Sequence, residues 1–259
     1  MIRVVRIMKD RGSPMRLVVL ALLSFAGLAR AQAPTRAAVL VELFTSEGCS
    51  SCPPADRLFA RLASELPAAG VEIVPLAFHV DYWNRLGWAD PFSSAAFSER
   101  QGDYSRIFGG DRVYTPQMVV NGRKEFVGSN ERVARSALLA AAKDATATVR
   151  VTAEESAKGP LSLRVSVAGA TKGAEVFLAI SEDRLAVDVP RGENAGRRLE
   201  HTAVVRDLRR IGRVDGTGRF EGSPVPARDA AWKAGTLHAV VFVQERESRR
   251  VLGAARVSL

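Results

Sequence analysis

Leu43-Phe44-Thr45-Ser46-Glu47-Gly48-Cys49-Ser50-Ser51-Cys52-Pro53-Pro54-Ala55-Asp56 is the stretch around which the chain is organised. It holds both cysteines of the 259 residues, separated by two serines. The apolar run 39–44 before it, broken only by Glu42, reads as a buried strand. After it, Ala55, Leu58, Phe59, Leu62 and Leu66 recur at helical spacing. Pro53 suits the first helical turn, where no amide hydrogen is needed. The order is strand, short loop, Cys-x-x-Cys, helix. A bridge closing so short a loop adds little stability, because the entropic gain grows with loop length. The pair is therefore better explained by reactivity than by stapling, with a plain structural bridge as the simple alternative.

Working outward, residues 71–78 form a second apolar strand, in which Pro75 argues for an edge position or an irregularity. A polar-aromatic loop follows, His79-Val80-Asp81-Tyr82-Trp83-Asn84. Beyond Pro91, residues Phe92, Ala96, Arg100, Tyr104 and Phe108 share one helical face, with Phe97 and Ile107 beside it. Ser93 or Ser94 supplies the cap. Thr115-Pro116 leads into the apolar residues 117–120, and Asn121-Gly122 is a two-residue hairpin signal. Ser129-Asn130 caps a last helix with Val133, Ala137, Ala140 and Ala141 inward. From residue 146 the periodicity switches to two, with Leu161, Leu163, Val165 and Val167 the clearest case. Many short strands between turn signals suggest a β-sandwich. Val204, Leu208 and Ile211 also fit a helix, so residues 201–211 read either way. The charged segment 190–198, Pro-Arg-Gly-Glu-Asn-Ala-Gly-Arg-Arg, reads as a solvated loop or as a lid or docking surface.

The formal charge of +9 resembles a nucleic-acid signal, but residues 1–31 carry six cations against one acid, and without them it falls to +4. Residues 17–28 are almost purely apolar, preceded by Arg16 and followed by Ala29-Arg30-Ala31. That describes a secretory signal peptide, cleaved after Ala31, with Met15 as an alternative start. The apolar run is shorter than a membrane span requires. An uncleaved anchor is the alternative. The expected location is periplasmic or secreted, with no nucleic acid as partner and no membrane attachment after cleavage.

A Cys-x-x-Cys opening the first helix of this β, α, β, helix, β-hairpin, α order resembles the thioredoxin motif. Thr115-Pro116 stands where such proteins place a cis X-Pro beside the redox pair. Glu42, seven positions before Cys49, resembles their buried strand acid. The mature chain also resembles a family of secreted, thioredoxin-like bacterial proteins of unknown function. Three blocks carry that resemblance: residues 42–56, then Phe78-His79-Val80-Asp81-Tyr82-Trp83, then Tyr114-Thr115-Pro116-Gln117-Met118-Val119-Val120. The resemblance implies fold and export without a substrate. The expected fold class is thus α/β plus all-β. A thioredoxin-like fold with an inserted helical segment spans 36–145, and a β-sandwich-like carboxy-terminal domain spans 146–259.

The expected chemistry is thiol–disulfide exchange, with protein or small-molecule thiols and disulfides as partners. A thiolate is the nucleophile, and the amino-terminal end of a helix favours one at Cys49. Cys49 is read as the more exposed, attacking cysteine and Cys52 as the resolving one. Thr115, exposed by a cis Pro116, would pair with a bound polypeptide and keep metal from the pair. Glu42 is a candidate proton relay, and His79, Asp81, Tyr82 and Trp83 are candidates for a cleft wall. Asp56 reads as a helix-start acid. No cofactor beyond the redox-active disulfide is expected. Two alternatives differ in class. One is a copper chaperone or sensor using Cys49, Cys52 and His79, since soft thiolates with imidazole suit copper. The other is a partner-binding module with an inert cysteine pair.

Overall fold

The computed structural model describes residues 37–65, 70–144, 146–154 and 161–259. The proposed signal peptide lies outside them. In chain order come β1 (Ala37–Thr45), α1 (Pro53–Glu65), β2 (Val71–His79), a 3-10 turn (Asn84–Leu86), α2 (Ala95–Ile107), β3 (Gln117–Val120), β4 (Lys124–Val127) and α3 (Glu131–Ala141). Strands then dominate: β5 (Thr148–Glu154), β6 (Ser162–Ala168), β7 (Glu175–Glu182), β8 (Leu185–Asp188), β9 (Arg198–His201), β10 (Val204–Arg213), β11 (Phe220–Gly222), β12 (Leu237–Gln244) and β13 (Val251–Ser258).

Eight strands join one mixed sheet, in the order β13-β12-β7-β10-β2-β1-β3-β4. The β1–β2 and β2–β10 pairs are parallel and the others antiparallel. Three strands, β11-β6-β5, form a second sheet, and β8 and β9 pair only with each other. This corrects the expected fold class. The strands of residues 175–258 do not build a β-sandwich of their own behind a thioredoxin-like domain. Four of them extend the sheet that holds β1, and among the described residues strand outweighs helix, 41% to 19%. Residues Arg36–Leu259 form one compact unit.

Three apolar layers follow from strand alternation. Val39, Val41 and Leu43 face α1 and α3, meeting Leu58, Phe59, Leu62 and Leu138. Leu40 and Phe44 face α2, joined by Phe78, Tyr104 and Phe242. The far side of β7 and β12 packs on β6 through Leu163, Val165, Leu178, Ile180 and Val241. The inner face of α3 is rotated from the expected one, with Ala134, Ala137, Leu138 and Ala141 buried. Asn130 caps it, accepting from the Val133 amide at 3.2 Å.

Local rules survive where the global one failed. Pro75 sits in an interior strand, yet β2 pairs with β10 only around Ala77, whose amide donates to the Ala203 carbonyl at 2.8 Å. Two residues earlier on that side, Pro75 has no amide hydrogen to lose. Within residues 201–211, His201 ends β9 and the chain from Val204 on is β10, not helix. Irregularities between Val205 and Asp207 and between Arg210 and Gly212 break the two-residue period and produce the helix-like spacing. Asn121 and Gly122 take φ of 47° and 63° at the centre of a turn closed by the Arg123 amide on the Val120 carbonyl at 3.0 Å, and with Val120 paired to Lys124 the loop holds three residues rather than the expected two. The Asn121 side chain accepts from the Leu40 amide and its carbonyl from the Val251 amide, tying β1 to β13.

Candidate functional site

Cys49 and Cys52 form a disulfide with their Cα atoms 5.4 Å apart. The loop after β1 turns tightly, the Cys49 amide donating to the Ser46 carbonyl at 3.1 Å. The Cys52 carbonyl accepts from Ala55 and Asp56, so Cys52 sits at the mouth of α1. Both cysteines are fully buried, whereas Ser50 and Ser51 between them are exposed. The expectation of an exposed Cys49 is therefore corrected. The reason lies in what covers it.

One wall comes from the predicted polar-aromatic loop. Trp83 lies against Gly48, where an added Cβ would meet the Trp83 Cβ at 3.0 Å. Its indole Nε1 donates to Thr115 Oγ1 at 2.8 Å. The Thr115-Pro116 bond is cis, and the Thr115 carbonyl accepts a long 3.5 Å bond from Ser51. Tyr82 donates to Gln101 at 3.0 Å, and burial pushes its phenol up to about 12, so it stays neutral. Asp81 turns away to Ser98. Trp83, Thr115 and Pro116 thus gather beside the cysteines, and Asp81 does not.

A second cover comes from residues far along the chain. Asn194, fully buried, donates to the Glu47 and Cys49 carbonyls at 2.8 and 2.9 Å. Glu193 accepts from the Ser50 amide at 3.0 Å, and the Ser50 hydroxyl followed by that amide holds its carboxyl below the usual range. Both belong to the charged segment 190–198, which is therefore no plain solvated loop.

Beneath lies a buried polar cluster. His79 Nδ1 and Asp90 Oδ2 are 2.7 Å apart, and Asp90 also accepts from the Glu47 amide. Glu47 accepts from Trp88 at 2.7 Å and meets His201 Nε2 at 3.0 Å. The His79 and His201 rings stack edge to face at 4.8 Å. Thr45 donates to Asp56 at 2.8 Å. Burial works against a charge on His79, but the Asp90 carboxylate outweighs it and raises the imidazole's pKa. Burial would likewise raise Asp90, but His79 holds it below the carboxylate range. Asp56 is raised by burial, against the opposing pull of His201 and His79. Asp56 also lines a small cavity of about 130 Å³ with Arg57, Arg198 and Glu200.

Glu42 lies elsewhere. It points to the α2 side of the sheet, with Leu40 and Phe44, and Arg100 Nε meets it at 2.6 Å. Tyr104 donates to its other oxygen. A relay from Glu42 to the cysteines would have to cross the sheet. His79, named in the copper alternative, meets Asp90 through Nδ1, and its Nε2 has no hydrogen-bond partner among the described residues. Among the described residues no three His, Cys, Asp or Glu side chains are grouped to hold a metal ion. Sequence reading missed Glu47, Asp90, His201 and Asn194. The available signal was scarcity: two of the chain's three histidines meet here.

A family model described as "Protein of unknown function (DUF1223)" matches residues 40–244. No curated protein matches the chain. Among solved structures, a structural-genomics crystal structure of a protein from Agrobacterium tumefaciens is similar at 29% identity and a TM-score of 0.69. It covers 87% of this chain and 96% of its own. The protein HBP35 of Porphyromonas gingivalis is similar at 14% identity and a TM-score of 0.64, covering 87% of this chain and 76% of its own. At that identity the second likeness speaks for the fold alone.

Proposed function

The chain belongs to the DUF1223 family of proteins of unknown function, and we propose that this member is an exported thiol–disulfide oxidoreductase acting through Cys49 and Cys52. One observation carries the reading. The disulfide spans only three positions at the mouth of α1, where it closes almost no loop and so stabilises little. It nevertheless sits in a built surround, between Trp83 and Thr115 on one side and buried ionisable groups beneath. A bridge of low structural worth in so specific a setting fits a reactive role.

In the proposed exchange, a substrate thiolate attacks the Cys49 sulfur. The Cys49–Cys52 bond breaks, and Cys52 leaves as a thiolate that takes up a proton. The second substrate thiolate then attacks the substrate sulfur of the mixed disulfide, releasing Cys49. The substrate dithiol becomes a disulfide and gives its two protons up to solvent, while the cysteine pair holds the two electrons as a Cys52 thiol and a Cys49 thiolate. The reverse sequence reduces a substrate disulfide. The positive end of the α1 dipole favours the thiolate form of Cys49. Export is supported by the charged start, short apolar run and Ala29-Arg30-Ala31 end of the sequence.

A redox titration of the purified mature chain tests this. A pair that cycles gives a midpoint potential above about −300 mV, the region below which structural bridges fall. Cys52→Ser should then trap partners as mixed disulfides through Cys49, visible as reducible bands on a gel. A pair titrating well below that range, with nothing trapped, sinks the proposal.

A further inference from the structure

Disulfide exchange requires a thiolate to approach a sulfur along the S–S axis, so access governs the rate. Here neither sulfur-bearing residue has exposed surface. The structure as it stands therefore closes the site, and something has to move. Trp83 and Thr115 are poor candidates. They bond each other, Trp83 packs on the α2-side core, and Thr115 leads directly into β3 of the main sheet.

The hairpin of β8 and β9 is different. Its strands, four residues each, pair only with each other and not with either larger sheet. A two-stranded hairpin alone is marginally stable, so this one depends on side-chain anchors. Val189, Asn194, Leu199 and His201 are buried, and His201 meets Glu47. Its tip is self-contained. The Gly196 amide donates to the Val189 carbonyl at 2.8 Å and the Ala195 amide to Gly192 at 3.1 Å, with both glycines at positive φ. Arg197 donates to Asn194 Oδ1 at 3.0 Å, fixing the amide so that its NH₂ faces the Glu47 and Cys49 carbonyls. A tip held together from within can lift as a unit.

We propose that the β8–β9 hairpin is a gate over the Cys49–Cys52 disulfide, closed by Asn194 and Glu193 and hinged where β9 meets β10. Lifting it frees the Glu47 and Cys49 carbonyls and the Ser50 amide. These are two acceptors and one donor beside the attacked sulfur, a pattern that suits the backbone of an extended polypeptide carrying the reacting cysteine. The closed gate also sets the Glu193 carboxylate on the Ser50 amide, one residue after Cys49. This inference deepens the oxidoreductase reading and rests on it.

The test reads access without needing the natural substrate. Dithiothreitol reduces the pair by passing two electrons and two protons to it while its own thiols close into a ring disulfide. Alkylation and mass measurement follow the rate. Glu193→Gln/Asn194→Ala should be reduced at least tenfold faster than the native chain. An unchanged rate overturns the gate. If the double variant does not fold, Glu193→Gln alone retains the shape of the tip. It should speed reduction about threefold, and no change again overturns the proposal. The two failures are separable. A native pair that does not titrate at equilibrium defeats the oxidoreductase reading, whereas a pair that titrates normally with equal rates in all variants defeats only the gate.

Discussion

Two buried polar clusters flank the β1–β2 pair, one on each side, and they follow different rules. On the α2 side, Glu42, Arg100, Tyr104 and Gln244 form a closed set. Arg100 bonds Glu42 and also reaches Gln244 and Tyr104, both at 3.3 Å. Its guanidinium lies 5.4–5.9 Å from the ring centroids of Phe78, Tyr104, Phe177 and Phe242. Burial opposes its charge, but Glu42 holds its pKa above the ordinary value. One cation meets one anion, and aromatic faces fill the rest. The cluster beneath the cysteines is unbalanced. It holds Glu47, Asp56 and Asp90 against His79 and His201, and His79 Nε2 is buried without a hydrogen-bond partner among the described residues. Burial raises Asp56 and the Asp90 carboxylate raises His79, so each keeps its proton to a higher pH than it would unfolded. The lesson is that burial of charge does not mark a functional site. A self-satisfied pair is architecture, while an unbalanced set touching a reactive bond is a site.

The largest effect should come from breaking the closed cluster. Arg100→Met leaves Glu42 charged, buried and unpaired, which costs about 3–5 kcal/mol. Chemical denaturation should show that loss, while the fraction still folded keeps the native rate of disulfide reduction by dithiothreitol. A changed rate in the folded fraction would mean that the two clusters are coupled through the sheet and the contrast is false.

The other cluster should respond in the opposite proportion. His201→Ala removes a partner of the Glu47 carboxylate, but Trp88 still donates to it. The expected loss is about 1.5–3 kcal/mol, the range for a hydrogen bond to a charged group. Because His201 also anchors the hairpin, reduction of the disulfide should quicken severalfold. Stability lost without any change in rate would leave His201 a structural residue only.

Comparison of expectation with outcome follows the same division. What is local was legible. Strand, Cys-x-x-Cys and helix lay in one stretch of sequence, and Asn121-Gly122 placed its own hairpin. What depends on pairing across long separations was not. Nothing in residues 204–213 announces that they will lie beside residues 71–79, since one strand edge accepts another through backbone groups that carry no sequence label. So the sheet was divided where the periodicity changed. The same holds within the site. Asn194 reaches Glu47 and Cys49 from about 145 residues away, and its charged neighbours look like ordinary loop. Arg100 shares the helical face that is buried, but its partner Glu42 lies nearer in sequence to the cysteines than to Arg100. Proximity in sequence to the motif outweighed the strand's own alternation, by which Glu42 and Thr45 face opposite sides.

That alternation gives the smallest and most specific prediction. Thr45 points to the cysteine side and donates to Asp56, whose pKa burial raises. A carboxyl with a folded pKa above its unfolded value binds protons more readily when folded. Its favourable contribution is therefore complete below the unfolded value of 3.8 and is lost as pH rises through the folded value. Asp56→Asn retains an acceptor for Thr45 and removes the half-buried charge. At pH 7 it should stabilise the protein by on the order of 1 kcal/mol, and at pH 3.5 the gain should vanish. Melting curves at the two pH values measure the difference. His79 is present in both proteins, but Asp56 is among the charges that raise its pKa, so the gain at pH 7 is reduced by the loss of that attraction. Should Asp56→Asn instead destabilise equally at both pH values, Asp56 serves as an ordinary hydrogen-bond partner. The imbalance that separates the two clusters would then rest on Glu47, Asp90 and the histidines alone.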